Sequence, residues 1–218
     1  MPAADAVESA PLREQLATVT TEAYRPELAD VDRLPTLDIA RSMKAEDATV
    51  TTAVAARMPE IAAAVDGVTE RMTRGVRLVH AGAGTAGRLG ILDASECPPT
   101  FGTGPAQAVG LIAGGPTAVF SAEDREDAAR ADLGALGLTA DDVVVGVSAS
   151  GRTPYAVAAV RHARALGALT VGLSCADNDG EVENPTLTLL ASVDAPTAAR
   201  LPQDAHGHLR KALEAAAA

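Results

Sequence analysis

A glycine-rich segment, Gly82–Arg88, is the first stretch of the sequence whose residue types could bind a phosphate. It has the sequence Gly-Ala-Gly-Thr-Ala-Gly-Arg and stands between an apolar run and a helix-like stretch. Glycines let the backbone turn tightly and approach a ligand, and the free N–H groups at a helix start favour an anion. We therefore predict that Gly84, Thr85 and Gly87 contact a phosphate. The segment is similar to a dinucleotide fingerprint, but no acidic residue ends the next predicted strand to bind a ribose, so nucleotide binding is not favoured.

A second segment, Ser148–Pro154, also follows an apolar run and precedes a helix-like stretch. It has the sequence Ser-Ala-Ser-Gly-Arg-Thr-Pro, and its hydroxyl and amide groups can bind a phosphate without a lysine. The candidate ligands are Ser148, Ser150, Gly151 and Thr153. The alternative is that the serines only cap a helix, which a single segment of this kind would favour. Two such segments favour phosphate binding.

Two glutamates are candidates for acid–base chemistry. Glu96 lies at the predicted end of a helix that we expect Pro98 and Pro99 to break, where an acidic side chain opposes the helix dipole. Such an unfavourable placement invites a functional explanation, although spacing alone favours a solvated glutamate on a turn. Glu123 is less distinctive, because an acidic residue is common at a helix start.

The elements that must position these residues follow the pattern of a parallel sheet. Short apolar runs alternate with helix-like stretches, which predicts strands at Val76–Ala81, Ala108–Ala113, Val143–Val147 and Leu169–Ser174, with a helix at Pro154–Leu166. Strand, helix and strand in this order predict an α/β fold with a doubly wound parallel sheet of about four to five strands. Ligands of such sheets lie beyond the carboxyl ends of the strands, so both phosphate segments should face one crevice.

The amino-terminal third is predicted to be helical and separate from the sheet. Residues 1–34 have scattered prolines and charges, which is typical of an extended arm, and a helix should begin near Thr36. An apolar stripe at helical spacing is expected to face the core; its members are Val54, Met58, Ile61, Val65, Val68 and Met72. We therefore divide the chain into an amino-terminal arm with helices (1–74), a sheet core (75–180) and a carboxyl-terminal helical remnant (181–218).

Composition excludes several classes of partner. The 218 residues carry a formal charge of −11, only 2% of them are aromatic, and no basic patch is evident, so nucleic acid and anionic membrane surfaces are not expected partners. The sequence contains two cysteines, Cys97 and Cys175, which lie far apart and have no neighbours at metal-ligand spacing, so neither a disulfide framework nor a metal site is predicted. No signal peptide or membrane span is evident, and we expect a cytoplasmic protein.

Several blocks together resemble the N-acetylmuramic acid 6-phosphate etherase family. The matching blocks are Gly82–Gly90, Ile91–Gly102, Val109–Gly115 and Ser150–Tyr155, with Asp93–Gly102 specific to that family and to its relative, the glucokinase regulatory protein. The resemblance implies a sugar isomerase (SIS) domain, a homodimer and a phosphosugar substrate, with no cofactor. The implied reaction is a lyase reaction that converts N-acetylmuramic acid 6-phosphate and water into N-acetylglucosamine 6-phosphate and D-lactate.

The resemblance also assigns roles to the two glutamates. Glu96 matches the family's principal acid/base residue and Glu123 its second one. A carboxylate removes the proton next to the sugar carbonyl, lactate leaves from the neighbouring carbon, and water adds across the double bond. An unbroken helix would place Glu96 about 16 Å along its axis from Thr85. Either the chain bends back before Pro98, or Glu96 serves a site on another subunit, and a site at a dimer interface is favoured.

The sequence departs from the family pattern at three places. Ala86 replaces a serine of the family's first loop, and the stretch between Gly115 and Glu123 is shorter by about one helical turn. After Cys175 a strand and a helix that close the family's sugar site are missing, which indicates an internal deletion. Two alternatives to the etherase activity therefore stay open: a non-catalytic phosphosugar-binding regulator, and an inactive truncated copy.

Overall fold

The computed structural model describes residues 25–118 and 125–175. The chain divides into two compact units, with the boundary between Ile61 and Ala62, and each unit is described by itself. The limits expected for the amino-terminal region and the sheet core stay predictions, and the predicted remnant at 181–218 lies outside the described residues.

The amino-terminal unit is helical where it is described. Two 3-10 turns, Pro26–Leu28 and Val31–Arg33, precede helix α1, which spans Thr36–Ala55 and buries none of its residues. Arg25 forms an ion pair with Glu46 of α1 and so attaches the start of the described chain to this helix.

Helix α2 spans Met58–Met72 and crosses the boundary between the units. The expectation that its apolar stripe faces the core is wrong for Met58, Ile61 and Val65, which are 39–56% exposed. The helix instead buries Ala63 and Gly67. Ala63 packs with Val143 and Leu169, because a small side chain lets the helix approach the sheet closely.

The centre of the second unit is a parallel sheet of four strands. Strands β1 (Leu78–Gly82), β2 (Ala108–Ile112), β3 (Val143–Val147) and β4 (Leu169–Leu173) lie in the order β2-β1-β3-β4. Every pair of neighbours is parallel. The fold class predicted from the sequence is therefore confirmed.

Helices cover both faces of the sheet. Helix α3 spans Gly84–Phe101, α4 spans Glu126–Leu136 and α5 spans Pro154–Ala165. On one face Val79, Ala81 and Val144 pack with α4 and α5, while α2 and α3 cover the other face. Glycines permit this close packing: a Cβ on Gly110 would lie 2.6 Å from the Cα of Ile91 in α3.

The predicted break in α3 is wrong. The helix continues through Pro98 and Pro99 and ends at Gly102, which has a left-handed φ of 67°. Each proline removes one backbone donor, but both lie in the last turns of the helix, and the N–H of Gly102 still donates to the Pro98 carbonyl at 2.9 Å. Glu96 therefore lies on a continuous helix that begins at Gly84.

Candidate functional site

The two predicted phosphate segments leave the sheet from neighbouring strands at one edge. The chain moves from β1 to β2 on one side and returns to β3 on the other, so the strand order reverses between β1 and β3. The last residues of these strands, Gly82 and Val147, are register partners. In open α/β sheets this reversal opens a crevice at the carboxyl ends of the strands, where ligands bind.

The first turn is built from backbone that needs glycine. A Cβ on Gly82 would lie 2.9 Å from both the Gly87 nitrogen and the Val147 carbonyl oxygen, and Gly84 has a φ of 56°. The N–H of Gly87 already donates to the Ala83 carbonyl at 3.2 Å. The amides of Gly84, Thr85 and residue 86 precede the first intrahelical donor and have no acceptor within α3. The lack of a side chain on Gly87 lets the start of α3 lie close to Gly82 at the end of β1. The amides before Gly87 are the donors available to a ligand.

The second turn is ordered by its own hydroxyl groups. Ser148 is 5% exposed, and its Oγ lies 2.6 Å from Oγ1 of Thr153. The Thr153 amide donates to Ser148 Oγ at 3.4 Å, and the Arg152 amide donates to Ser150 Oγ at 3.2 Å. Gly151 has a φ of 71°. The serines therefore bond the amides of Arg152 and Thr153, which precede α5. The N-cap residue Thr153 makes no side-chain cap hydrogen bond, and the first amides of α5 itself lack intrahelical acceptors.

Arginines in both turns were not singled out by the sequence reasoning. Arg88, in α3, donates from Nη2 to the Ala118 carbonyl at 3.3 Å, and Ala118 is 2% exposed. Arg152 is an exposed residue of the second turn. The available signal was their position, because each stands within a glycine-rich turn at the start of a helix. They place two positive charges near this edge of an acidic chain.

Of the two candidate glutamates, the structure describes Glu96, which does not join the turns of its own chain. Glu96 is exposed on α3, and its position is about 16 Å along the helix axis from Thr85. Because α3 is unbroken, the alternative in which the chain bends back before Pro98 is excluded. Glu123 lies outside the described residues, and α4 begins at Glu126, three positions later.

Other ionisable groups on α3 have structural surroundings. His80, on β1, places its Nε2 3.0 Å from Oδ2 of Asp93, and burial lowers the pKa of His80 more than Asp93 raises it. Burial raises the pKa of the Cys97 thiol, and the charge of Asp93 raises it further. A protonated thiol is a poor nucleophile, so Cys97 is not a catalytic candidate.

The part of the chain that the structure describes contains neither a cluster of metal-binding side chains nor a membrane-spanning helix. No three His, Cys, Asp or Glu side chains there lie close enough together to bind one metal ion. No helix in residues 25–118 or 125–175 combines the length and hydrophobicity of a membrane span.

Comparisons with known proteins agree on one family. Residues 60–164 match the family described as the glucokinase regulatory protein N-terminal SIS domain. The chain is 73% identical over 168 residues to the N-acetylmuramic acid 6-phosphate etherase of Streptomyces coelicolor, an alignment covering 75% of this chain and 54% of that protein. It is 47% identical over 300 positions to the etherase of Streptomyces avermitilis, covering 94% of this chain and 96% of that protein.

The lengths of these alignments bear on the predicted deletion. The chain spans only about half the length of the Streptomyces coelicolor relative, 54% of it. The alignment with the Streptomyces avermitilis relative runs over 300 positions, more than the 218 residues of this chain, so that relative has residues without a counterpart here. An internal deletion would produce this pattern.

A solved structure supports the fold. The phosphoheptose isomerase from Francisella tularensis matches with a TM-score of 0.50 and 15% identity, over 84% of this chain and 92% of that chain. At this identity the likeness shows a shared α/β fold and nothing about the reaction.

Proposed function

Since the chain belongs to the N-acetylmuramic acid 6-phosphate etherase family, we propose that it cleaves the D-lactyl ether of N-acetylmuramic acid 6-phosphate. The products are N-acetylglucosamine 6-phosphate and D-lactate. The observation that carries the proposal is the position of the two glycine- and hydroxyl-rich turns, which leave adjacent strands at the reversal point of the sheet. The reaction takes place in the cytoplasm and needs no cofactor.

One phosphate is bound between the two turns. The amides of Gly84 and Thr85 lie at the positive end of the α3 dipole, and Gly87 lets this end lie close to β1. Ser150 and Gly151 belong to the second turn, which precedes the start of α5. Ser148 and Thr153 hold this turn in shape through their hydroxyl contact. Two helix starts at one crevice provide the donors that an acidic chain needs for an anionic ligand.

The carboxylates act on the sugar beyond the phosphate. Glu96 removes the proton next to the carbonyl, and lactate then leaves with the ether oxygen. Glu123 assists the proton transfers of elimination and hydration. In the sequence, Glu123 stands two positions before Arg125, the residue that directly precedes α4. This helix begins at the same edge of the sheet as the turns, because α4 runs antiparallel to the strands it connects.

The protein works as a homodimer, and Glu96 acts at the site of the other subunit. The support is the exposure of Glu96 on a continuous helix, too far from the turns of its own chain, beside leucines that are also exposed. A second chain both covers these leucines and receives the carboxylate.

Release of D-lactate from N-acetylmuramic acid 6-phosphate tests the function. The purified wild type should release it, and Glu96→Gln should lower the turnover number by about 10²–10⁴-fold, the usual contribution of a general acid or base. Glu70→Gln is the matched control, because Glu70 is an exposed residue that pairs with Arg74, four positions along the chain, at 3.0 Å, and it should leave turnover unchanged. A wild type that binds the phosphosugar without releasing lactate would refute the lyase proposal and select the regulatory alternative.

Labelled water tests the chemical course. Elimination breaks the bond between the sugar carbon and the ether oxygen, so lactate keeps that oxygen and the new sugar hydroxyl comes from water. In water enriched in ¹⁸O, mass spectrometry should find the label in N-acetylglucosamine 6-phosphate. Label in lactate would contradict elimination and hydration.

A further inference from the structure

Helix α3 presents a regular stripe on the side away from the sheet. Its members are exposed and recur at alternating intervals of four and three residues: Thr85, Leu89, Leu92, Glu96 and Pro99. Leu89 and Leu92, at the centre of this α3 stripe, are each 57% exposed. The opposite side of the helix buries small residues, Gly87, Gly90 and Ala94, against the sheet.

This spacing is that of a helix–helix seam. Residues at alternating intervals of three and four form one narrow line that packs against a second helix. Two adjacent leucines, more than half exposed in the middle of such a line, mark a contact surface rather than a solvated face. Leu89 and Leu92 are flanked along the line by Thr85 on one side and Glu96 on the other.

We propose that α3 packs antiparallel against α3 of a second copy of this chain, with the two-fold axis passing between Leu89 and Leu92. In a symmetric contact each residue meets its counterpart reciprocally, so Leu89 of one copy is level with Leu92 of the other. Thr85 and Glu96 lie four residues outside this leucine pair on either side. The same symmetry therefore brings Glu96 of each copy level with Thr85 of the other.

This register accounts for the distance that separates the candidate residues within one chain. The offset of about 16 Å between Thr85 and Glu96 along α3 is cancelled when the second helix runs in the opposite direction. The carboxylate of Glu96 also meets the amino-terminal end of the partner helix, where the helix dipole favours a negative charge. The catalytic meaning of the pairing rests on the proposed function, but the pairing itself does not.

Cysteine cross-linking tests the register without using catalysis. In a background with Cys97→Ala and Cys175→Ser, one tagged chain has Thr85→Cys and a differently tagged chain has Glu96→Cys. Both positions are exposed, so the chains should fold. A thiol cross-linker with a span of about 8 Å, near the distance between packed helix axes, should join the two chains when they are co-expressed.

Each cysteine chain expressed alone is the control. In its homodimer the two cysteines are offset by about 16 Å along the helices, so neither chain alone should be joined to itself. Joining of the Thr85→Cys chain to itself would indicate parallel helices and overturn the proposal. A co-expressed pair that is not joined would overturn it as well.

Sedimentation provides a second measurement. The wild type should be a dimer, and Leu92→Lys should be a monomer with an unchanged circular dichroism spectrum. A monomeric wild type would overturn the pairing. Lactate release is measured on the wild type, because the cross-linking variants replace Thr85 and Glu96. Cross-linking of the variants together with a wild type that releases no lactate would refute the etherase function and leave the pairing standing, whereas a wild type that releases lactate together with variants that do not cross-link would refute the pairing and leave the function standing.

Discussion

Replacing Asp142 by asparagine should destabilise the protein and reduce the sensitivity of its stability to acid. Asp142 is 2% exposed and accepts hydrogen bonds from Arg77 at 3.0 Å (Nε) and 2.6 Å (Nη2) and from the Thr139 amide at 2.8 Å. The same arginine donates to the Leu136 carbonyl at 2.7 Å and to the Gly137 carbonyl at 2.9 Å, at the carboxyl end of α4. The cluster therefore joins the starts of β1 and β3 to α4.

The pKa of Asp142 sets the magnitude. Burial alone would raise this pKa, but the hydrogen bonds from Arg77 and Thr139 outweigh burial and lower it from 3.8 to about 2. A shift of about 2 units corresponds to about 2–3 kcal/mol of folding free energy. Because the folded pKa is the lower one, this stabilisation is complete above the unfolded value of 3.8 and is lost as the pH falls towards 2. Asp142→Asn should cost about 3 kcal/mol at pH 7, since it leaves the Arg77 charge without its partner.

Urea unfolding of both proteins between pH 7 and pH 2 measures this difference. The gap in unfolding free energy between wild type and Asp142→Asn should be constant down to about pH 5 and then close as Asp142 is protonated. Asp127→Asn is the matched control, because Asp127 is 62% exposed and its pair with Arg125 is screened by water, so it should change stability little. A gap that does not narrow in acid would refute the reasoning.

Two further predictions concern the core and its pH dependence. Gly146→Ala should lower the unfolding free energy by about 1–3 kcal/mol in a urea titration, because its Cβ would lie 2.5 Å from Val160 Cγ2. Gly134→Ala, in an open position of α4, should instead raise the unfolding free energy by up to about 1 kcal/mol. If the two substitutions changed the unfolding free energy equally, the packing argument would be contradicted. Burial lowers the pKa of His80 despite the opposing charge of Asp93, so the folded state binds a proton on His80 less readily than the unfolded state. The unfolding free energy should therefore fall as the pH drops below about 6.5. His80→Gln should flatten the plot of unfolding free energy against pH in this range, and an unchanged slope would show that His80 is not responsible.

Much of the sheet could be predicted because each strand is a short apolar run between turn residues. The predicted and observed bounds of β3 are identical, Val143–Val147, and α5 differs by one residue at its end. The start of β1 was predicted two residues early, at Val76, because the beginning of a strand depends on pairing with its neighbours as well as on local hydrophobicity.

Helix faces and helix ends were harder to predict. The rule that proline breaks a helix ignores how few hydrogen bonds Pro98 and Pro99 remove so close to Gly102. The stripe of α2 was assigned to the core, but periodicity shows only that a face is apolar. It does not show what the face contacts, and Ile61 and Val65 are exposed in the single chain.

The arrangement of the candidate site was only partly predictable. Topology alone brings the turns after Gly82 and Val147 to one edge of the sheet, and the sequence was sufficient for that. The contact between the Ser148 and Thr153 hydroxyl groups depends on the exact turn conformation and could not be read from residue types. In the proposed dimer, the position of Glu96 relative to the turns depends on a second chain, which one sequence does not describe.

Complementation between two inactive variants tests the central claim most directly, that the turns of one copy and Glu96 of the other form one site. Glu96→Gln lacks the carboxylate, and Ser150→Asp repels the phosphate. When both chains are co-expressed, half of the dimers are mixed and each has one intact site, so D-lactate release should recover to about a quarter of the wild-type rate. A mixture as inactive as its parents, together with activity in mixed dimers of wild type and a chain with both substitutions, would contradict the account and place the complete site within one chain.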